Sequence, residues 1–352
     1  MTMWEEFGFL ANPYWTHPVT VDDEGTRLLL GRDSEVRQLL ACLSSTSTHP
    51  TVEGALGVGK TSLVGVAGYC AVRDYREGRS PKLFVPMPKP IRLTSGAAVS
   101  DVKRRLYLDL SQACILWRDA LLNSGFAPPA FDAVNYWMNH HSSFDESGFI
   151  STVKRWLREC FASQTAGGFI CVIENLELLG TSRRARVILG ALRDDLFNTT
   201  GLRCVLCGAK GMIRNVSSSS SLQGLFAEPI DLNPLPNDIA AEAVDRRVAE
   251  RKISDRAYVP VDRFGFGHIY GVLNHSLRDS LKYSQDFAIW LHRQGRRPTD
   301  PEDKLELLKA WVADLADKYS AAARGIPKDA WQVFDEIVSR GAEQLLRAKL
   351  PR

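Results

Sequence analysis

Eight residues, Gly54-Ala-Leu-Gly-Val-Gly-Lys-Thr61, have the types and spacing needed to hold a polyphosphate. They fit G-x-x-x-x-G-K-[ST], in which glycines let successive backbone N–H groups curl around phosphate oxygens. We expect Lys60 to reach the β- and γ-phosphates of ATP and Thr61 to offer its hydroxyl to Mg²⁺. The residues expected to contact the nucleotide here are Gly54, Gly57, Val58, Gly59, Lys60, Thr61 and Ser62. The alternative is an ordinary glycine-rich turn.

A second candidate lies about a hundred residues further on, where the apolar run Phe169–Ile173 ends abruptly in Glu174. A carboxylate at the end of a buried strand beside a phosphate loop suits Mg²⁺, which it usually holds through water. A neighbouring carboxylate can orient the attacking water, and Glu177 is placed to do so. The alternative is a strand that leads into a solvated turn.

Composition restricts the class of protein. The chain has 352 residues, enough for about two domains, with 45% apolar and 24% charged residues. Its formal charge of +3 is too small to establish a nucleic-acid partner. No apolar run approaches the ~20 residues of a membrane span. The seven scattered cysteines suit a reducing cytoplasm, and we expect Cys204 and Cys207 to be buried structural residues.

The elements that must position these residues follow an α/β pattern. Short apolar runs at 83–85, 169–173, 204–207 and 230–232 read as strands, and the run at 204–207 lacks the alternation of a half-exposed strand. Apolar residues at helical spacing predict helices over 100–123, 150–161, 186–197 and 305–319. We therefore expect a parallel sheet covered on both faces by helices, followed by a mostly helical part after Pro234 and Pro236.

Several further stretches resemble, in the correct order, the motifs of AAA+ ATPases, particularly the origin-recognition-like clade and related bacterial ATPases. Gly54–Thr61 is similar to their Walker A motif, and Ile173-Glu174-Asn175 occupies the Walker B position. The other matching stretches are 7–14, which resembles an aromatic segment flanking the adenine, 30–35, which resembles a "GR-x-x-E" helix start, 205–209 (sensor 1), 231–235 (hinge) and 273–279 (sensor 2).

The resemblance implies a P-loop sheet core closed by a C-terminal helical lid. It implies that the adenine is flanked by Asn12, Pro13, Tyr14, Gly31 and Arg32. It also implies that Thr61 and Glu174 share Mg²⁺, and that Arg278 is the sensor arginine of the lid. The catalytic residues expected on this basis are Lys60, Glu174, Asn175, Glu177 and Arg278. The expected cofactors are ATP and Mg²⁺.

Two departures from the family pattern predict slow hydrolysis. Glu174 stands where the family has a metal-binding Asp, and Asn175 where it has a catalytic Glu. An amide can position water but cannot accept its proton, so we expect Asn175→Glu to raise turnover if the geometry is otherwise family-like. The stretch 222–226 lacks the expected arginine finger. Candidates from elsewhere are Arg183, Arg184 and Arg214.

The resemblance also implies a domain organisation. It gives an adenine-flanking segment over 1–30, an ATPase core over 31–232 with a helical insertion at about 85–165, a lid over 233–325, and the start of a winged helix over 326–352. Basic clusters at 103–105, 154–155 and 246–247 could contact DNA phosphates, although charges on helix faces are usually solvated.

These observations predict a cytoplasmic, nucleotide-controlled switch or scaffold. We expect self-association or a protein partner, no membrane, and a role in DNA transactions such as transposition or replication, or in anti-phage defence. One alternative is a signalling or structural module that binds nucleotide without hydrolysing it, which Asn175 favours. The other is a small-molecule kinase that uses the same phosphate loop.

Overall fold

The computed structural model describes residues 2–96, 98–127, 146–163, 165–179 and 182–323. The chain divides into two compact units, Met1–Asp286 and Phe287–Arg352. The predicted winged-helix start over 326–352 lies outside the described residues, and the finer domain boundaries stay predictions. Within the described ranges, no helix is long and apolar enough to cross a membrane.

The first unit is built on a parallel sheet, as the sequence predicts. The strands are β1 at Thr51–Gly54, β2 at Leu83–Pro86, β3 at Ile91–Arg92, β4 at Gly167–Glu174, β5 at Leu202–Gly208 and β6 at Ile230–Leu232. Their order is β2-β4-β5-β1-β6, and the short β3 also pairs with β4. Every pairing between these strands is parallel, so the carboxyl ends of β1 and β4 meet at one edge of the sheet.

Helices cover both faces of this sheet and form the lid-like part that follows it. They are α1 at Met3–Glu6, α2 at Asp23–Leu28, α3 at Asp33–Ser45, α4 at Lys60–Arg76, α5 at Val99–Leu116, α6 at Arg118–Asn123, α7 at Glu146–Cys160, α8 at Ser182–Leu192, α9 at Met212–Ser217, α10 at Asn237–Arg251, α11 at Arg263–Val272, α12 at Leu277–Arg293 and α13 at Pro301–Ala323. A 3₁₀ turn at Leu176–Leu179 follows β4, and a π-helical turn at Arg193–Phe197 follows α8.

Two of the predicted helices differ in detail. The helix expected over 100–123 is interrupted at Trp117, which separates α5 from α6. The indole Nε1 of Trp117 donates to the carbonyl oxygen of Pro86 at 3.1 Å, so a tertiary hydrogen bond fixes the residue where the helix breaks. The helix expected over 186–197 ends as α-helix at Leu192 and continues as the π-helical turn.

The core has one apolar layer on each face of the sheet. Cys204 and Leu206 of β5 belong to the layer under α5, α7 and α8, whereas Val205 and Cys207 belong to the layer under α3 and α4. The alternation follows from the period of two along a strand. Cys204 and Cys207 are both buried and face opposite sides, as the sequence predicts.

One fully buried cation lies beside this core. Arg203 of β5 is 0% exposed, and its guanidinium donates to the carbonyl oxygens of Cys42, Thr46, Ser47 and Thr48 at 2.9–3.2 Å. These carbonyls lie at and just beyond the last turn of α3, where most acceptors have no partner within the helix. The negative end of the helix therefore takes the place of a carboxylate partner.

A buried histidine lies just before β1. The Nε2 atom of His49 is 2.8 Å from the carbonyl oxygen of Phe197, and its Nδ1 atom accepts from the backbone N–H of Cys204 at 3.1 Å. This pattern fits a neutral ring with its proton on Nε2. Burial lowers the pKa of His49 from 6.5 to about 4.

Candidate functional site

A cavity of about 640 Å³ opens at the carboxyl edge of the sheet, where β1 and β4 end beside the start of α12. The structure brings most of the predicted site residues together in its wall. Those that line it are Gly54, Gly57, Gly59, Lys60, Thr61, Ser62, Glu174, Asn175, Glu177 and Arg278. Four cationic side chains and two carboxylates face this space, an excess of positive charge that suits a polyphosphate. The cations are Lys60, Arg92, Arg247 and Arg278.

The loop between β1 and α4 has the backbone that a phosphate cradle requires. Gly57 and Gly59 have φ of +80° and +104°, a region that favours glycine. Helix α4 begins at Lys60, so its unpaired N–H groups and its positive end point at the loop. The Lys60 Nζ atom donates to the carbonyl oxygens of Gly54 and Ala55 at 2.8 and 3.0 Å. Burial lowers the pKa of Lys60.

The two residues predicted to share a metal are in direct contact. The hydroxyl of Thr61 donates to Oε1 of Glu174, and the second carboxylate oxygen of Glu174 lies 3.5 Å from Nε of Arg92. A hydroxyl and a carboxylate are hard oxygen donors, and Mg²⁺ in nucleotide sites is typically held by one or two such protein ligands together with phosphates. The residues present therefore fit Mg²⁺.

The residues after Glu174 present two polar groups to the cavity. Asn175 has φ of +65°, a left-handed conformation that Asn tolerates better than most residues. Glu177 follows in the 3₁₀ turn, and its buried Oε2 atom has no hydrogen-bond partner among the described residues. A buried carboxylate oxygen without a donor is suited to bind water or a cation. Glu177, which the sequence offers as a substitute base, lines the cavity.

A tight turn brings the predicted sensor arginine to the phosphate loop. Asn274 and His275 both have left-handed backbones, with φ of +51° and +61°. The hydroxyl of Ser276 then donates to the Asp279 carboxylate at 2.7 Å, at the start of α12. A Cβ atom on Gly57 would lie 2.8 Å from Cβ of Arg278. Glycine at position 57 therefore permits the close approach of α12 to the loop.

Comparison with known proteins yields similarity in structure alone. No protein-family model and no curated protein sequence matches the chain. The structure of the Aeropyrum pernix ORC1 protein in complex with DNA is similar over 95% of this chain and 78% of that chain, with 14% identity and a TM-score of 0.53. The Aeropyrum pernix ORC2 protein, solved as ADPNP-ADP complexes, is similar over 86% and 72%, with 11% identity and a TM-score of 0.53.

The chain has the fold of an AAA+ ATPase. The resemblance noted in the sequence is therefore confirmed at the level of fold, and the similar structures include two origin-recognition proteins. The parallel sheet with its helices and the helical C-terminal region agree with the predicted fold class. At these identities the likeness shows the fold of nucleotide-binding ATPases, and the roles of individual residues depend on the geometry of the site.

The segment expected to flank the adenine lies outside the cavity wall. Asn12, Pro13 and Tyr14, predicted to flank the adenine, do not line the cavity. The Tyr14 hydroxyl donates to the carbonyl oxygen of Val261 at 2.7 Å and accepts from its N–H at 3.1 Å. Asn12 donates to the side chain of Gln285 at 2.6 Å. These bonds fix the segment to the residues before and within the lid helices. Thr16, His17 and Pro18 form the wall instead.

Gly31, Arg32 and Val58 also lie outside the cavity wall. The guanidinium of Arg32 is 5% exposed and donates to the carbonyl oxygen of Asn233 at 2.7 Å and, weakly, to that of Val58 at 3.5 Å. Arg32 thus ties the hinge after β6 to the underside of the phosphate loop. At Gly31, with φ of +64°, a Cβ atom would lie 2.8 Å from Ile239 of α10.

Arg247 is a site residue that the sequence interpretation places on the surface. It lies on α10, is 6% exposed, and lines the cavity rather than forming part of a solvated basic cluster. Its guanidinium lies 4.3 Å from the ring centroid of Trp15 and donates to the Trp15 carbonyl oxygen at 3.0 Å. Burial lowers the pKa of Arg247 to about 10. The sequence gives no local indication of this position, because Trp15, which Arg247 contacts, lies 232 positions earlier in the chain.

The arginines considered as fingers lie elsewhere. Arg214 forms ion pairs with Glu53, Glu228 and Asp231 at 2.8–3.2 Å, and the buried Glu53 also accepts backbone N–H groups at the start of α9. Arg214 is therefore part of the internal structure of the AAA+ unit. Arg183 and Arg184 are exposed and do not line the cavity.

The predicted basic surface is partly neutralised. Lys103 and Lys154 both pair with Asp195, and Arg105 pairs with Asp109 at 2.9 Å. Phosphate contacts by this face would have to compete with carboxylates of the same chain. The local charge available to a nucleic acid is accordingly smaller than the sequence suggests.

Proposed function

We propose that the chain binds MgATP and acts as a nucleotide-controlled AAA+ switch with slow hydrolysis. The observation that carries the proposal is the contact between Thr61 and Glu174 beside the Gly54–Lys60 loop. Two elements distant in sequence supply the two protein ligands that a Mg²⁺-triphosphate needs, and they do so next to a cationic phosphate cradle. Arg278 closes the same space from α12.

Each residue has a definable part in binding. Backbone N–H groups of the loop and the start of α4 hold phosphate oxygens, and Lys60 exchanges its carbonyl acceptors for the β- and γ-phosphates. Thr61 and Glu174 would hold Mg²⁺, which neutralises charge on the terminal phosphates. Arg278 would form an ion pair with the γ-phosphate. Because Arg278 lies at the start of α12, the presence of a γ-phosphate would favour one position of that helix.

Hydrolysis requires a group that accepts a proton from water. We assign this role to Glu177, because it lines the cavity, its Oε2 atom has no hydrogen-bond partner among the described residues, and the neighbouring Asn175 amide cannot accept a proton. As the water oxygen attacks the terminal phosphorus, its proton would pass to Glu177, the bond between that phosphorus and the bridging oxygen would break, and ADP would leave with the bridging oxygen. Asn175 would orient the water by hydrogen bonding. Slow turnover is expected because, among the described residues, the only arginines that line the cavity are Arg92, Arg247 and Arg278, and none of them lies at the position of the family's arginine finger.

The output proposed for the switch is assembly with a second copy or a protein partner. The ORC1 structure similar to this chain was solved in complex with DNA, which favours DNA as a further ligand. The ion-paired state of Lys103, Lys154 and Arg105 favours weak phosphate contacts that weaken steeply with salt. A role in DNA transactions or anti-phage defence remains part of this proposal, as does the cytoplasm as its location.

The experiment that tests the proposed function is nucleotide titration of wild type and Lys60→Ala. We expect Lys60→Ala to lower ATP affinity by about a hundredfold, because charge-assisted bonds to phosphate are lost, while circular dichroism stays unchanged. Lys89→Ala, an exposed lysine outside the cavity, is the matched control and should bind as wild type. ATP affinity of Lys60→Ala equal to that of wild type would exclude the loop as the binding site.

Mass photometry measures the proposed assembly, with wild type compared in three states: without nucleotide, with ADP and with a slowly hydrolysed ATP analogue. We expect a larger species with the analogue, alone or with DNA at low salt. One unchanged monomer in all three states would refute ATP-driven assembly. A stable nucleotide complex with no phosphate release over hours would favour the alternative of a non-hydrolysing module. Phosphate transfer to a metabolite would favour a kinase.

A further inference from the structure

Arg92 is fixed to the candidate metal site by the sheet itself. The short strand β3 pairs with the end of β4, with Arg92 in register with Glu174. The next backbone N–H, from Leu93, donates to the carbonyl oxygen of Glu174 at 3.0 Å. Register partners on neighbouring strands direct their side chains to the same face. The Arg92 side chain is therefore held beside the Glu174 carboxylate by backbone hydrogen bonds rather than by a loop.

The ion pair between Arg92 and Glu174 is weak enough for each residue to leave it for another partner. Nε of Arg92 lies 3.5 Å from Oε2 of Glu174, a long contact, and the Arg92 side chain is 60% exposed, against 9% for Glu174. Because the Arg92 side chain is largely exposed to solvent, which screens its charge, we expect this long contact to contribute little to stability. A guanidinium carries five N–H donors in a planar fork suited to phosphate, and the contact with Glu174 is made through Nε.

A metal and Arg92 compete for the same carboxylate. Thr61 contacts Oε1 of Glu174, and Arg92 occupies the Oε2 side. A divalent cation held by Thr61 and Glu174 would repel a guanidinium beside Oε2, whereas the terminal phosphate of ATP would attract it into the cavity that Arg92 already lines. The diphosphate lacks this attracting group.

We propose that Arg92 is a phosphate-contacting arginine supplied within the same chain, which exchanges Glu174 for the terminal phosphate when MgATP binds. The proposal rests on the proposed function. It assigns to Arg92 the discrimination between ATP and ADP. Arg92 also lines a second cavity of about 490 Å³ with Lys89, Asp101 and Arg105, so the exchange would change the charge of a groove beside α5.

The test compares Arg92→Gln with Lys89→Gln, which removes the same charge from a residue that lines only the second cavity. Dissociation constants are measured for MgADP and for a slowly hydrolysed MgATP analogue by calorimetric titration. We expect Arg92→Gln to reduce the ADP-to-analogue ratio of dissociation constants by about tenfold. ADP affinity should stay the same or rise by up to about threefold, because Glu174 is released to the metal.

The outcomes separate this proposal from the proposed function. Arg92→Lys should retain part of the discrimination, because it keeps the charge but loses the planar fork. Unchanged ADP binding by Arg92→Gln shows that the variant is folded. A ratio within about twofold of wild type in Arg92→Gln, or an equal loss in Lys89→Gln, would overturn the role of Arg92 alone. Failure of wild type to bind either nucleotide would overturn the proposed function and this proposal with it.

Discussion

His49 should make the stability of the first unit depend on pH, and the variant His49→Asn should remove that dependence. Asn offers Oδ1 near the position of the ring Nδ1, so it can still accept from Cys204 N–H, but it does not titrate. Protonation of His49 would put a hydrogen on Nδ1 and break this bond. It would also place a second cation near the buried Arg203.

The sign and the size follow from the depressed pKa. The unfolded chain takes up a proton at about pH 6.5, and the folded chain only at about pH 4. Stability from the neutral ring is therefore fully present above pH 6.5 and is lost as the pH falls from 6.5 towards 4. At about 1.36 kcal/mol per unit, the whole loss is about 3.4 kcal/mol, of which about 2 kcal/mol is lost by pH 5.

Urea unfolding of wild type and His49→Asn between about pH 7.5 and pH 5 measures this effect. Other groups titrate in both proteins, so the difference in unfolding free energy isolates His49. We expect that difference to shift by about 2 kcal/mol against the wild type over this range. Parallel pH profiles, with a difference constant to about 0.5 kcal/mol, would refute both the low pKa and the assigned tautomer.

Three further predictions concern the site and its support. Glu177→Gln should lower phosphate release in single turnover by about a hundredfold while ATP affinity changes less than about threefold, and unchanged turnover would remove Glu177 as the base. Asn175→Glu should lower the unfolding free energy by about 1 kcal/mol, because the left-handed backbone at φ +65° favours Asn over Glu, and it should not raise turnover, because Glu177 is the proposed base; faster phosphate release would contradict this. Arg203→Met should lower the unfolding free energy by about 3 kcal/mol, because four carbonyls lose the guanidinium that donates to them. Urea unfolding of wild type and variant measures this difference, and equal midpoints would contradict it.

The sequence predicts the sheet and the phosphate end of the site because both depend on local patterns. The Gly54–Thr61 loop is contiguous, and Glu174 ends a continuous apolar strand. Arg92 is missed because Pro88 and Pro90 interrupt the edge of the sheet and hide the two-residue strand that carries it. Pro is tolerated at a sheet edge, so the interruption does not prevent pairing with β4.

The positions of Arg247, Asn12 and Tyr14 could not be predicted for a different reason. Arg247 has the sequence context of a solvated helix face, but in the structure it is buried and its guanidinium packs on Trp15. Asn12 and Tyr14 have the expected aromatic and polar pattern, but their partners, Gln285 and Val261, lie more than 240 residues away. Contacts of that separation leave no periodicity in the sequence.

The bonds that hold residues 7–14 have a consequence for synthesis of the chain. Phe7, Gly8 and Leu10 exchange backbone hydrogen bonds with residues 251–258, and Tyr14 is held by Val261, 247 positions later. At about 5–20 residues per second, a ribosome needs roughly 12–50 s to deliver these partners. Until then the aromatic side chains of this segment have only Trp4 and one another to pack against. The nascent chain would therefore offer them to a chaperone during translation, and slow codons between positions 14 and 261 would lengthen that exposure.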